Sequence, residues 1–142
     1  MNITRRSLFT LALVLLLTFS VFAAGQTEAK ASATYKIGVS KLLAHPALDA
    51  AEKGLMDHLA TTGLSVSYDL QNANGDISTA SSIAQKFKSD KVNVAVGIAT
   101  PSAQALAQVF PVSSGIPVVF SAVTDADEAG LVAANIAGVS DK

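Results

Sequence analysis

The spacing of apolar residues along this chain switches repeatedly between every second position and every third or fourth, and each switch marks a new element. Residues 35–40, Tyr-Lys-Ile-Gly-Val-Ser, read as a short strand. From Pro46 the pattern turns helical: Leu48, Ala51, Leu55, Leu59 and Thr62 fall on one face. Pro46 suits a first turn, which needs no backbone donor there. Gly63 suits the left-handed position at the helix end. Residues 64–70 alternate apolar and polar side chains and predict a second strand. Residues 72–75 predict a turn, Asp76 an N-cap, and Ile77, Ala80, Ile83, Ala84 and Phe87 the apolar stripe of a second helix. Residues 92–98 are apolar at nearly every position, the mark of a strand covered on both faces. Ala103, Leu106, Ala107 and Phe110 mark a third helix, and residues 116–123, with Pro117 near their start, a fourth strand. A short helix is expected at 127–133 and a fifth strand at 136–139.

Alternating strands and helices with short connections imply right-handed crossovers and a parallel sheet, so the fold class is α/β with helices on both faces. Ligands of such sheets sit beyond the carboxyl ends of the strands, at a switch in strand order. The loops to watch therefore follow Val39, Ile98 and Ala122.

The first residues belong to a different pattern. Arg5 and Arg6 precede an uncharged, strongly apolar run at 8–21, and Val21-Phe22-Ala23 offers a peptidase site. This is the three-part secretory signal, with cleavage expected after Ala23. The run is shorter than the roughly 20 residues a spanning helix needs. Thr4-Arg5-Arg6-Ser7-Leu8-Phe9 also has a faint twin-arginine character, but the long apolar core suits the general secretion route better. With no cysteine, a lipid-modified cysteine anchor is excluded and no disulfide framework exists. The expected product is exported, free in the periplasm or its equivalent, with residues 24–34 as a flexible polar linker.

Removing 23 of the 142 residues leaves 119, enough for one core. Both arginines leave with the leader, so eight lysines face eleven acidic residues, a net charge of −3. That mild acidity argues against nucleic acid as a partner, since its binding needs a basic face.

Candidate chemistry lies in three loops. The first runs from Ser40 to His45, the second holds Thr100, Ser102, Ala103 and Gln104, and the third runs from Ser121 through Thr124 to Asp125. Thr100 as N-cap with Pro101 at the first helical position would leave free N–H groups for a carboxylate. Asp125 and Ser121, facing the same cleft, would meet an ammonium group. Together these are the needs of an amino-acid zwitterion. On spacing alone the simpler reading is that Thr100-Pro101 only starts a helix and Asp125 only makes a turn. An enzyme finds little support. His45 and His58 lie 13 positions apart without metal-ligand spacing, and no Ser-His-Asp order is present. Gly38 stands alone, so a phosphate-binding glycine loop is missing. No metal or cofactor is implied. A receiver domain shares the architecture but needs acidic residues where Ser40 and Lys41 stand.

HPALD at residues 45–49, NANGD at 72–76, ATPSAQALA at 99–107 and IPVVFSAVTD at 116–125 resemble one family closely, and AGLV at 129–132 and NIAGVSD at 135–141 continue the match. It is the ABC-transporter substrate-binding proteins of the tryptophan- and tyrosine-binding type. The resemblance covers nearly all of residues 35–141. It implies a Rossmann-like lobe of the type I periplasmic-binding-protein kind, one of two that close on a ligand and deliver it to a membrane permease with its cytoplasmic ATPase. It implies a hydrophobic or aromatic amino acid as ligand, and a cleft lined by Ser40 to His45, Thr100 to Gln104 and Ser121 to Asp125. Three departures bear on the fifth strand's register and on the placement of Asp125. Ala126 replaces a usual proline, only Ala133-Ala134 separate Val132 from Asn135, and Ala137 replaces a usual threonine. The resemblance ends where the family passes to its second lobe. The expectation is therefore an N-terminal lobe at 35–142 without its second half. A secreted lobe acting as an interaction or sensor domain, without transport, is the alternative, and a stable homodimer would favour it.

Overall fold

The computed structural model describes residues 34–140. The expected leader, its cleavage point and all of the linker except Thr34 lie outside the described residues. The order is β1 (Tyr35–Lys41), α1 (Pro46–Thr61), β2 (Val66–Asn72), α2 (Ile77–Ser89), β3 (Val94–Ile98), α3 (Thr100–Val109), a 3-10 turn (Val112–Ser114), β4 (Val118–Val123) and β5 (Ile136–Ser140). The five strands form one sheet in the order β2-β1-β3-β4-β5, and every neighbouring pair is parallel. Strand order reverses between β1 and β3, which makes their carboxyl ends the switch point.

Side chains alternate along each strand, so β1 and β3 serve two cores. Ile37, Val39, Val96 and Ile98 face α1, whose Leu48, Ala51, Leu55 and Leu59 pack onto them as its stripe predicts. The opposite core joins Ala95 and Val118 to Ala80, Ile83, Ala84 and Phe87 of α2 and Ala105, Leu106 and Val109 of α3. Gly38 lets α2 come close: a Cβ at that position would lie 2.7 Å from the Phe87 ring. Asp76 caps α2 as expected, accepting the Thr79 N–H at 2.6 Å. Gly63 takes the left-handed conformation just beyond the α1 C-cap, Thr62.

Several expectations need correction. β2 begins two residues later than its alternation predicts, and Leu64 is left exposed. β3 begins at Val94, with Val92 buried in the approach to it. β4 begins at Val118, because Pro117 has no N–H for the ladder; its carbonyl accepts Ala95 N–H instead, at 3.1 Å. Ile77 belongs to the predicted stripe yet is 66% exposed, as the first residue of α2. The helix expected at 127–133 does not form. Ala129 N–H bonds the Asp125 carbonyl at 3.0 Å and Leu131 N–H the Ala126 carbonyl at 2.9 Å, and Gly130 then turns to φ +70° and ends the coil after one turn.

A bulge in β4 matters most for the site. The pairing with β5 shifts register between Phe120 and Val123, where Ala122 has φ +54°. An extra residue reverses the alternation beyond it. Val123 accordingly packs with Phe120, Ala103 and Leu131, while Ala122 packs on the α1 side.

Candidate functional site

Three loops leave the carboxyl edge of the sheet. At the end of β1, Ser40 is fully buried and its hydroxyl has no hydrogen-bond partner. Lys41, on the α1 side, is also buried. Its ammonium donates to Asp49 at 2.6 Å and to Glu52 at 3.2 Å. The Asp49 bond, reinforced by Glu52 and opposed by burial, raises the lysine pKa above its ordinary value. The Lys41 carbonyl accepts Ala73 N–H at 2.9 Å, the Leu42 carbonyl accepts Gly75 N–H at 2.7 Å, and Leu42 N–H donates to the Ile98 carbonyl at 3.1 Å. His45 is exposed and N-caps α1, its Nδ1 accepting Ala47 N–H at 3.3 Å.

The second loop is a single residue. β3 ends at Ile98 and α3 begins at Thr100, so Ala99 alone turns the chain. It does so at φ +79°, ψ +153°, and it occupies the N-cap position that the sequence had predicted for Thr100. Thr100 is instead the first helical residue, and no side chain caps α3. Non-glycine residues held this way store about 1–3 kcal/mol of strain, which exceeds the roughly 0.5–1 kcal/mol entropic cost of glycine. Ala99→Gly is therefore expected to stabilise the lobe by about 1 kcal/mol, read by urea denaturation; a loss of stability would contradict this backbone. Ser102 and Ala103 are fully buried in the first turn of α3, and the Ser102 hydroxyl is another without a partner. Gly97 permits this approach, since a Cβ there would lie 2.6 Å from Ala103 Cα.

The third loop follows the bulge. Ser121 is half-buried, and its carbonyl accepts Ala99 N–H at 3.0 Å. Asp125 Oδ1 accepts the N–H groups of Asp127 at 3.0 Å and Glu128 at 3.1 Å, so this carboxylate shapes its turn. Gln104 Nε2 donates to the Ala129 carbonyl at 3.1 Å and ties the turn to α3. Leu131, buried among Ala103, Phe120 and Val123, anchors the far end.

Thr100, Gln104, Thr124, Asp125, Glu128 and Ala129 line an open hollow of about 300 Å³ between α3 and this turn. Four of the nine residues singled out from the sequence thus meet in one place. Ser40, Ser102 and Ala103 lie under the surface, Ser121 in the strand, and His45 on a separate loop. Glu128 was missed. Its signal was the pattern Asp125-Ala-Asp-Glu128, which resembles a capping box and sets two acidic residues three apart at the start of a turn. The lining holds two carboxylates and no basic side chain, a setting that suits a cation. Among the described residues no group of three or more His, Asp or Glu could hold a metal ion.

The sequence model of the family ABC transporter substrate binding protein matches residues 36–142. The chain belongs to this family. The tyrosine-binding protein of Clostridioides difficile (strain R20291) is 43% identical to this chain over 115 residues, covering 74% of it and 32% of that protein. A ligand-free, open substrate-binding protein with adhesive properties from Clostridium difficile shares 39% identity and a TM-score of 0.67, over 75% of this chain and 39% of that one. An ABC domain from Streptococcus pneumonia in complex with L-Trp shares 37% identity and a TM-score of 0.66, over 73% and 37%. This chain therefore spans about a third of the length of the curated relative and under two fifths of those solved chains. Its five-stranded parallel sheet is that of a type I periplasmic-binding-protein lobe. The relatives are substrate-binding proteins, not enzymes.

Proposed function

We propose that this chain supplies one face of the ligand cleft in the extracytoplasmic solute-binding component of an ABC importer, and that the ligand is a hydrophobic or aromatic amino acid. The observation that supports the reading is the acidic hollow at the carboxyl edge, lined by Asp125, Glu128, Thr100, Thr124 and Gln104; in this reading its two carboxylates meet an ammonium group. The names of the tyrosine-binding and L-Trp-bound relatives support an aromatic ligand. In this reading His45 reaches the ligand from the first loop, while Ser40, Ser102, Ala103 and Ser121 form the floor beneath it. The signal-like leader supports export to the periplasm, and the family supports a membrane permease and its ATPase as partners. A relative with adhesive properties favours a second reading, a secreted interaction domain without transport.

Asp125→Asn is the direct test. Asparagine caps a turn about as well as aspartate, so the turn should persist while the charge is lost. The affinity for L-tyrosine or L-tryptophan, measured by calorimetric titration, is expected to fall by about 1.5–3 kcal/mol. Unchanged affinity would reduce Asp125 to a turn residue. A wild-type protein with no thermal shift from any standard amino acid would end the amino-acid reading, because a native-state ligand must stabilise.

A further inference from the structure

Lys41 takes no part in the hollow, yet it is the buried charged side chain at the switch point. It follows Ile37 and Val39 on the face of β1 that meets α1, where the alternation calls for an apolar residue. Its side chain is only 10% exposed, and a buried ammonium persists only when paired. Its partners are Asp49 and Glu52, three apart and so on one face of the first turns of α1. That helix has no fully buried residue, so apolar packing holds it less firmly than it holds α2 or α3. The main chain of the same strand end receives Ala73 N–H at Lys41 and Gly75 N–H at Leu42, from the loop before α2, and Leu42 N–H bonds the end of β3.

We propose that Lys41 is a positioning residue for the ligand-facing edge: its two ion pairs draw the start of α1 onto the end of β1 and so set the loop that carries His45. An apolar residue of similar length would fill the space but would not select one tilt of α1, because apolar contact has no direction whereas a paired charge does. The effect on binding rests on the proposed amino-acid ligand. The effect on the edge itself does not.

The test uses the full chain and three variants. Lys86 is a control, since it also pairs with two carboxylates, Asp69 and Asp90, but near the C-terminal end of α2, away from the carboxyl edge. Lys41→Met is expected to weaken binding of L-tyrosine or L-tryptophan at least tenfold, Lys41→Arg to restore most of it, and Lys86→Met to bind like wild type even where its melting temperature falls. Amide exchange at Ala73, Gly75 and Asp49 should quicken in Lys41→Met and not in Lys86→Met. If Lys41→Met binds like wild type, or if those amides keep their protection, the proposal is overturned and Lys41 only adds stability. If the wild type binds neither amino acid, the ligand reading fails by itself, and the amide exchange still decides the role of Lys41.

Discussion

Gly97→Ala is expected to lower both the stability of the lobe and its affinity for ligand. The new Cβ would fall 2.6 Å from Ala103 Cα and 2.7 Å from Ala103 N. Both are backbone atoms of the first turn of α3, so no side chain can swing away to make room. The helix itself must move off β3. Overpacking typically costs about 1–3 kcal/mol, and the rigidity of a helix backbone puts this case near 3 kcal/mol. Relief by moving α3 would carry Thr100 and Gln104 with it, and Gln104 holds the 125–131 turn through Ala129. One methyl group would thus disturb both walls of the hollow. Urea denaturation should show the lost stability, and titration with L-tyrosine a weaker affinity among molecules that remain folded. Wild-type values in both would mean that α3 does not pack this closely on β3.

Phe87→Ala should have the largest effect on stability alone. The ring is fully buried in the core beneath α2, and it fills the space left by the absent side chain of Gly38. Removing a buried phenylalanine costs about 3–5 kcal/mol, the lost transfer energy plus the cavity left behind. Against a typical domain stability of about 5–15 kcal/mol, that brings the lobe close to unfolding. The contact with Gly38 supplies a sharper check. Gly38→Ala alone should destabilise by overpacking, but in combination with Phe87→Ala the added methyl enters the vacated space. The double variant should therefore be more stable than the two losses added together, as residues in contact do not act additively. Simple additivity, seen in denaturation curves, would mean that Gly38 and Phe87 do not touch. Neither substitution reaches the hollow, so the affinity of the folded fraction should hold.

Local patterns carried the elements well where one surface decides burial. The α1 stripe from Leu48 to Leu59, the doubly covered β3 and the cap at Asp76 follow from spacing and from single-residue chemistry and are found, while Thr62, the last stripe residue, is the exposed C-cap. Ile77 shows where that logic ends. It fits the α2 stripe, but it begins the helix at the carboxyl edge, and a stripe does not reveal where the layer beneath it stops. The one-turn coil after Asp125 has a similar cause. Its sequence suits a helix start, but Gly130 ends it and Leu131 is taken into the core.

The sequence by itself determined the α/β class, the order of the five strands and of the three helices between the first four, the family and the three loops in which to look. Those properties depend on periodicity and on residues close together in the chain. Tertiary structure decided which loop residues share a surface. The bulge at Ala122 reversed the faces beyond it, the one-residue turn at Ala99 moved the cap away from Thr100, and close packing at Gly97 buried Ser102 and Ala103. It also gave Lys41 a buried place between two carboxylates that lie eight and eleven residues further along the chain. Each of these depends on how closely a helix approaches a strand. That distance is set by contacts between residues far apart in sequence, and spacing along the chain does not record it.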